Sequence, residues 1–197
     1  MVTVPAIDGR TARARRTREA VVDALLELIN EGELRPTAPR IAERAGVSLR
    51  SVFQHFSDLE ALYAVAAERQ LVMIAGLVRR LSPTGPLDDR LEAFVGQRSR
   101  VLEALTSVQR ASALQEPFSP QLRATTAHLV RLARAEVAHV FGPELADRPV
   151  NDRRELLDAL DAAAQWWWWE QMRTRQGLTV KRAQRVMIRT MGALLRA

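Results

Sequence analysis

Residues 40–56 read Arg40-Ile41-Ala42-Glu43-Arg44-Ala45-Gly46-Val47-Ser48-Leu49-Arg50-Ser51-Val52-Phe53-Gln54-His55-Phe56, and this stretch decides the fold. Two short helical patterns flank a glycine. Gly46 is free to take the positive φ that ends a helix sharply, Val47 plugs the angle between the helices, and Ser48 caps the second helix by accepting a backbone N–H. Ile41, Ala42 and Ala45 before the turn, with Val52 and Phe56 after it, supply apolar positions at helical spacing that pack the pair together. The stretch is therefore expected to be a helix-turn-helix, spanning about 37–56 with its lead-in. Leu49, Arg50, Ser51, Gln54 and His55 remain on the outer face of the second helix, with groups suited to base edges and phosphates.

Charge placement agrees with a polyanionic partner. The chain has 197 residues, 29 Lys and Arg against 23 Asp and Glu, and a net charge of +6. The excess is concentrated at the start, where Arg10, Arg13, Arg15, Arg16 and Arg18 face Asp8 alone. Residues 1–12 are expected to be a flexible N-terminal arm, and Arg13, Arg15 and Arg16 to meet DNA phosphates or a minor groove. Cysteine is absent, which excludes disulfides, thiol nucleophiles and cysteine-held metals and fits a reducing cytoplasm. The longest uncharged apolar stretch, Leu71 to Val78, is too short to span a bilayer. No apolar run follows Arg15-Arg16, so no export signal and no membrane partner are expected.

Outward from residues 40–56, the 3.6-residue period dominates and alternation is nearly absent, giving an all-α class of about nine helices. Val21, Val22, Leu25, Leu26, Leu28 and Ile29 mark a first helix from about Arg16 to Glu31, closed by Gly32. Thr37 is placed to cap the second helix, with Pro39 in its first turn. Ser57 and Glu60 have the spacing of a capping box that opens a fourth helix, expected to run through Leu81. Ser82-Pro83-Thr84-Gly85-Pro86 stops it. Further helices are expected from Leu87 to about Glu116 and from about Pro120 to Phe141, then a loop over 142–151. The last two helices, at about Asp152–Gln176 and Thr179–Arg196, are expected to be antiparallel neighbours.

Trp166-Trp167-Trp168-Trp169 lies in the penultimate helix. Successive helical residues are about 100° apart, so four tryptophans cannot share one face and one or two must point away from the core. Each indole has about 150–250 Å² to bury, so the simplest expectation is a helix sandwiched between its own core and a second copy of the chain. Leu156, Leu160, Ala163, Trp167, Val186, Met187, Leu194 and Leu195 are the candidate dimer-interface residues. An inward tryptophan walling a ligand cavity is the alternative.

Over about Arg13 to Gln70 the sequence resembles the TetR family of one-component transcriptional regulators. The match rests on Thr37-x-x-x-Ile41-Ala42-Glu43-Arg44-Ala45-Gly46-Val47-Ser48 and on Val52-Phe53-Gln54-His55-Phe56-Ser57-Asp58-Leu59-Glu60-Ala61-Leu62-Tyr63. The resemblance implies a homodimer that grips a palindromic double-stranded DNA operator and is released by a small-molecule effector bound in the C-terminal part. It implies a DNA-binding domain over 13–63 and a ligand-binding and dimerisation domain over 64–197. It makes Thr37 a phosphate or capping contact, Ser48 the cap of the recognition helix, Leu49, Arg50, Ser51 and Gln54 base or phosphate readers, and His55 a phosphate contact. Phe53 stands where a tyrosine often donates to a phosphate, and Leu59 where a lysine usually opens the fourth helix. Binding then leans on Arg50 and the N-terminal arginines. A bidentate Arg50–guanine pair discriminates by about 1–3 kcal/mol.

Met73, Phe94, Phe118, Phe141 and Trp166 are the candidate effector contacts, and their apolar character favours an apolar ligand. No cofactor or metal is expected. Glu136-x-x-His139 is half of a di-iron carboxylate pattern, but its second copy is missing and no phosphate loop or nucleophile elbow stands out, so an enzyme is not expected. The rival expectation is a helical dimeric scaffold or adaptor that has lost ligand sensing or specific DNA binding.

Overall fold

In the computed structural model, residues 9–197 are described, with side chains from residue 11 onward. Among these residues the backbone forms ten α-helices and no strand. The helices are α1 (Gly9–Asn30), α2 (Ala38–Arg44), α3 (Leu49–His55), α4 (Leu59–Ala75), α5 (Leu87–Gln115), α6 (Pro120–Val140), α7 (Gly142–Ala146), α8 (Val150–Ala163), α9 (Trp166–Glu170) and α10 (Val180–Arg196). A 3-10 turn covers Glu116–Phe118 and a π-helical segment covers Gln171–Arg175. No described helix is long and apolar enough to cross a membrane.

The chain divides into two compact units. One comprises the residues up to Leu71 together with Ser107–Arg123, the other Val72–Thr106 and Ala124–Ala197. The first unit thus extends past the expected boundary at residue 63 and recruits a distant segment. Its core is built on α1, where Val21, Leu25, Leu28 and Ile29 are at most 2% exposed. Ile41 of α2, Val52 of α3, Phe56 and Leu62 of α4 close over them, and Val108, Ala111 and Leu122 join from the second segment. Each fully buried aliphatic or Phe side chain contributes about 1.5–3 kcal/mol of transfer free energy, which is what holds helices as short as α2 and α3 in place.

In the second unit Phe94, Phe141, Leu160, Trp169, Met172 and Met187 are fully buried around one core. Phe94 and Phe141 meet edge to face with centroids 5.3 Å apart. The guanidinium of Arg98 lies 5.0 Å from the Phe94 ring centroid and is 2.8 Å from Glu136, whose other oxygen accepts from Gln97 at 2.6 Å. His139 Nε2 faces the Leu81 carbonyl at 3.1 Å. The Glu136 and His139 side chains are thus both engaged in tying elements of this unit together.

Five features differ from expectation. α1 begins at Gly9 rather than at about Arg16, so Arg13, Arg15 and Arg16 stand on a helix; most of the expected arm, residues 1–8, lies outside the described residues. α4 is capped by Asp58, whose carboxylate accepts from the Ala61 N–H at 2.7 Å, while Ser57 donates to Asp58 at 3.1 Å and Glu60 accepts from Ser119 at 2.6 Å. The expected Ser57–Glu60 box does not form. α4 also stops at Ala75 rather than Leu81: Gln97 takes both the N–H and the C=O of Arg79, at 2.8 and 3.0 Å, and holds that stretch out of helix. Finally, the expected loop after Gly142 contains α7, and the penultimate helix breaks at Ala164-Gln165, where Gln165 is extended (φ −80°, ψ 156°).

That break decides the tryptophans. Trp166 and Trp169 are buried, with Nε1 donating to Thr106 Oγ1 at 3.3 Å and to Glu103 Oε1 at 2.6 Å. Trp167 and Trp168 point outward, 67% and 44% exposed.

Candidate nucleic-acid interface

The interface candidate is the α2–turn–α3 segment with the start of α1. Thr37 Oγ1 accepts from the Arg40 N–H at 3.4 Å and Ser48 Oγ from the Ser51 N–H at 3.1 Å, so both helices are capped as their sequences indicate. Each such cap satisfies one of the orphan donors of a helix start and is worth about 1 kcal/mol. Between them Gly46 takes φ +66°, and the Val47 N–H returns to the Ala42 carbonyl at 3.0 Å, closing α2 and turning the chain into α3. Val52 and Phe56 face the core, 1% and 3% exposed, which rotates the opposite side of α3 outward.

That outward side carries Leu49, Arg50, Phe53 and Gln54, all exposed, with Ser48 at its start and Ser51 and His55 half-buried at its margins. Among the described residues Arg50 has no ion-pair partner, leaving its guanidinium available for a bidentate contact. Arg13, Arg15, Arg16 and Arg18 are exposed on α1. Arg15 makes an exposed pair with Glu19 at 3.7 Å, and the Arg18 guanidinium lies 5.0 Å from the centroid of Phe56, just beyond the end of α3. The α1 arginines and the α3 face thus belong to one compact unit.

The arginines of α2 do different work. Arg44 is bound by Glu31 at 2.6 Å and Glu27 at 3.4 Å, and Arg40 by Glu43 at 2.9 Å and Glu33 at 3.5 Å. The hydrogen bond from Arg44 holds the Glu31 carboxyl below the usual carboxylate range, and the reciprocal bond raises Arg44. Arg40 is thus held by Glu43 within α2 and by Glu33 beyond α1, and the Arg44 pairs lash α2 to the end of α1. Sequence spacing alone does not reveal them, because each acid lies 13 or 17 residues from Arg44.

The effector and interface candidates scatter. Phe94, Phe141 and Trp166 fill the second core, Met73 is 60% exposed, and Phe118, 76% exposed, belongs to the first unit. These five residues do not line one cavity. Of the interface candidates, Leu160, Ala163, Met187 and Leu195 are buried within their own unit and have no surface left for a partner. Leu156, Val186 and Leu194 are half-buried against the same core, and Trp167 is exposed.

A capped helix–glycine turn–helix on a three-helix core, with an outward basic and polar face, defines an all-helical helix-turn-helix protein. Comparison with solved structures makes this particular. A TetR-family transcriptional regulator from Streptomyces coelicolor superposes with a TM-score of 0.68 at 18% identity, over 92% of this chain and 87% of that one. A regulator ascribed to the TetR family from Mesorhizobium loti gives 0.66 at 20% identity, covering 93% and 97%. The multidrug-binding protein EbrR, solved with imidazole, gives 0.53 at 22% identity, covering 90% and 94%. The chain is TetR-like: it has the fold of the TetR-family transcriptional regulators.

Two HTH-type transcriptional regulators of Pseudomonas putida, the uncharacterized TtgW and SrpR, are each 43% identical over 61 residues, 30% of this chain. The chain spans 46% and 29% of their lengths. No family model matches the chain.

Proposed function

We propose that this chain is a homodimeric, sequence-specific DNA-binding regulator that acts in the cytoplasm, a repressor released from a palindromic operator by a small molecule. The single observation that carries the reading is the outward face of α3. Arg50, Gln54 and Leu49 project from a helix that is capped, short and packed against α1 and α2, as an element entering a major groove must be held. Thr37, Ser48, Ser51, Phe53 and His55 at its margins, with Arg13, Arg15 and Arg16 on α1, supply backbone contacts. Phe53 offers only its apolar ring, so the arginines carry the electrostatic share.

One feature supports the homodimer: Trp167 and Trp168 leave large indole surfaces in water, which a second copy would cover.

Selection of bound sequences from random duplex DNA tests the reading. The expected product is a palindrome whose half-sites lie about 34–36 Å apart along one side of the duplex. Affinity for it is expected to fall by about 0.9 log units per tenfold rise in salt for each phosphate neutralised. Recovery of no preferred sequence at any salt concentration would remove the regulator reading.

A further inference from the structure

Two residues singled out for different reasons, Thr37 as a DNA contact and Phe118 as an effector contact, line the same cleft in the first unit. The cleft holds about 290 Å³ and is walled by the start of α2, the first turn of α4 and the stretch joining α5 to α6. That is the low end of the range of about 300–1,000 Å³ usual for ligand pockets, so it suits a single-ring molecule.

Several polar groups of this cleft are engaged, Gln115 adds a part-buried amide, and one group is buried without a partner. Ser119 donates to Glu60 at 2.6 Å, and the Arg35 guanidinium donates to the Leu114 carbonyl at 3.0 Å. Tyr63, 7% exposed, lines the cleft with a buried hydroxyl that has no hydrogen-bond partner. Burial pushes that phenol up to about 12, so it stays a proton donor in need of an acceptor. The two charges on the wall, Arg35 and Glu60, are of opposite sign, so a full charge of either sign on a ligand gains little net attraction. The rest of the lining is mostly apolar, including Leu59, Leu122 and the Phe118 ring, which is left 76% exposed.

We propose that this cleft binds a small uncharged aromatic compound bearing one hydrogen-bond-accepting oxygen. Its ring covers Phe118, Leu59 and Leu122, and a side-chain shift that opens the sealed Tyr63 hydroxyl to the cleft lets its oxygen receive that hydroxyl. The inference rests on the regulator reading and gives its effector a chemical class and a place. Thr37 is both cleft wall and N-cap of α2, so ligand and operator compete for the setting of the same helix start. A ligand that prefers the cleft of DNA-free protein weakens operator binding by that difference in affinity.

Tyr63 is the chain's only tyrosine, so ring-¹³C-tyrosine in the full chain gives one signal at the site. Titration with acetophenone is expected to shift it saturably, with affinity about tenfold or more above that of benzoate or benzylammonium. By calorimetry, Tyr63→Phe, which deletes only the unpaired hydroxyl, and Phe118→Ala, on an exposed side chain, are each expected to weaken acetophenone binding about tenfold. No saturable shift up to the solubility limit, tighter binding of either ion, or unchanged affinity in both variants would overturn the proposal. A second arm adds acetophenone to the chain on its selected duplex and expects DNA release. An intact Tyr63 response in protein that binds no duplex would instead overturn the regulator reading while upholding the site.

Discussion

At Gly46 a Cβ would meet nothing within 4 Å, yet φ is +66°. Space is therefore not what demands glycine there; the backbone conformation is. Gly46→Ala is expected to cost about 1–2 kcal/mol, the left-handed penalty for an L-residue, read as a lower urea midpoint with an unchanged slope. Such a position is legible in sequence because its reason is local. Arg50 is legible for the same reason: the positions that bury Val52 and Phe56 turn it outward. Arg50→Ala is expected to lose about 1–3 kcal/mol of discrimination at one base pair of the half-site, whereas Arg15→Ala weakens all duplexes alike. Competition binding of single-base operator variants separates the two outcomes. Arg44, one helix earlier, illustrates the limit. It is a basic residue beside the proposed DNA surface, and only the fold brings Glu27 and Glu31 against it.

Helix starts at Thr37, Ser48 and Thr179 were readable, because a cap requires only a side-chain oxygen two or three residues ahead of the N–H it receives. α4 shows how two adjacent caps compete: Asp58 outdoes Ser57, since a carboxylate at a helix start also meets the positive end of the backbone dipole. Asp58→Ala is thus expected to cost about 1 kcal/mol in chemical unfolding and Ser57→Ala only a few tenths. The end of α4 was not readable, because what stops it is Gln97, 18 residues beyond Arg79. A similar long-range tie binds α5 to α7, where buried Arg90 pairs with Glu144 and donates to the Val140 carbonyl at 2.8 Å. The hydrogen bond from Arg90 holds the Glu144 carboxyl below its ordinary value of 4.5. A carboxyl depressed on folding stabilises above its unfolded pKa, and that contribution fades as pH falls through the lower folded value. Glu144→Gln should therefore lose stability at neutral pH, by roughly 2 kcal/mol for a hydrogen bond to a buried charge. Its urea midpoint should converge on that of the parent well below pH 4.5.

At the scale of the whole molecule, an apolar helical stripe announces that a helix is buried without saying by what. Leu160, Met187 and Leu195 fit a subunit interface as well as a core by spacing alone, and the structure consumes them in the core of their own unit. What remains for a partner is the part that spacing could already show must be left over. Four consecutive tryptophans exceed one helical face, and Trp167 and Trp168 are the surplus. Replacing both with Glu places charge on a face whose internal packing is limited to the edge contact of Trp167 with Trp166 and the covered part of Trp168, so a folded but monomeric protein is expected, with a near-parental far-UV spectrum and about half the parental mass by light scattering. Losing the dimer separates the two recognition helices, so affinity for a full palindrome should collapse to that for an isolated half-site, while single-base preferences governed by Arg50 persist. A double variant that remains dimeric would move the interface elsewhere on the second unit. A parental protein of monomeric mass would remove the twofold from the proposed mechanism, and with it the reason for a palindromic operator.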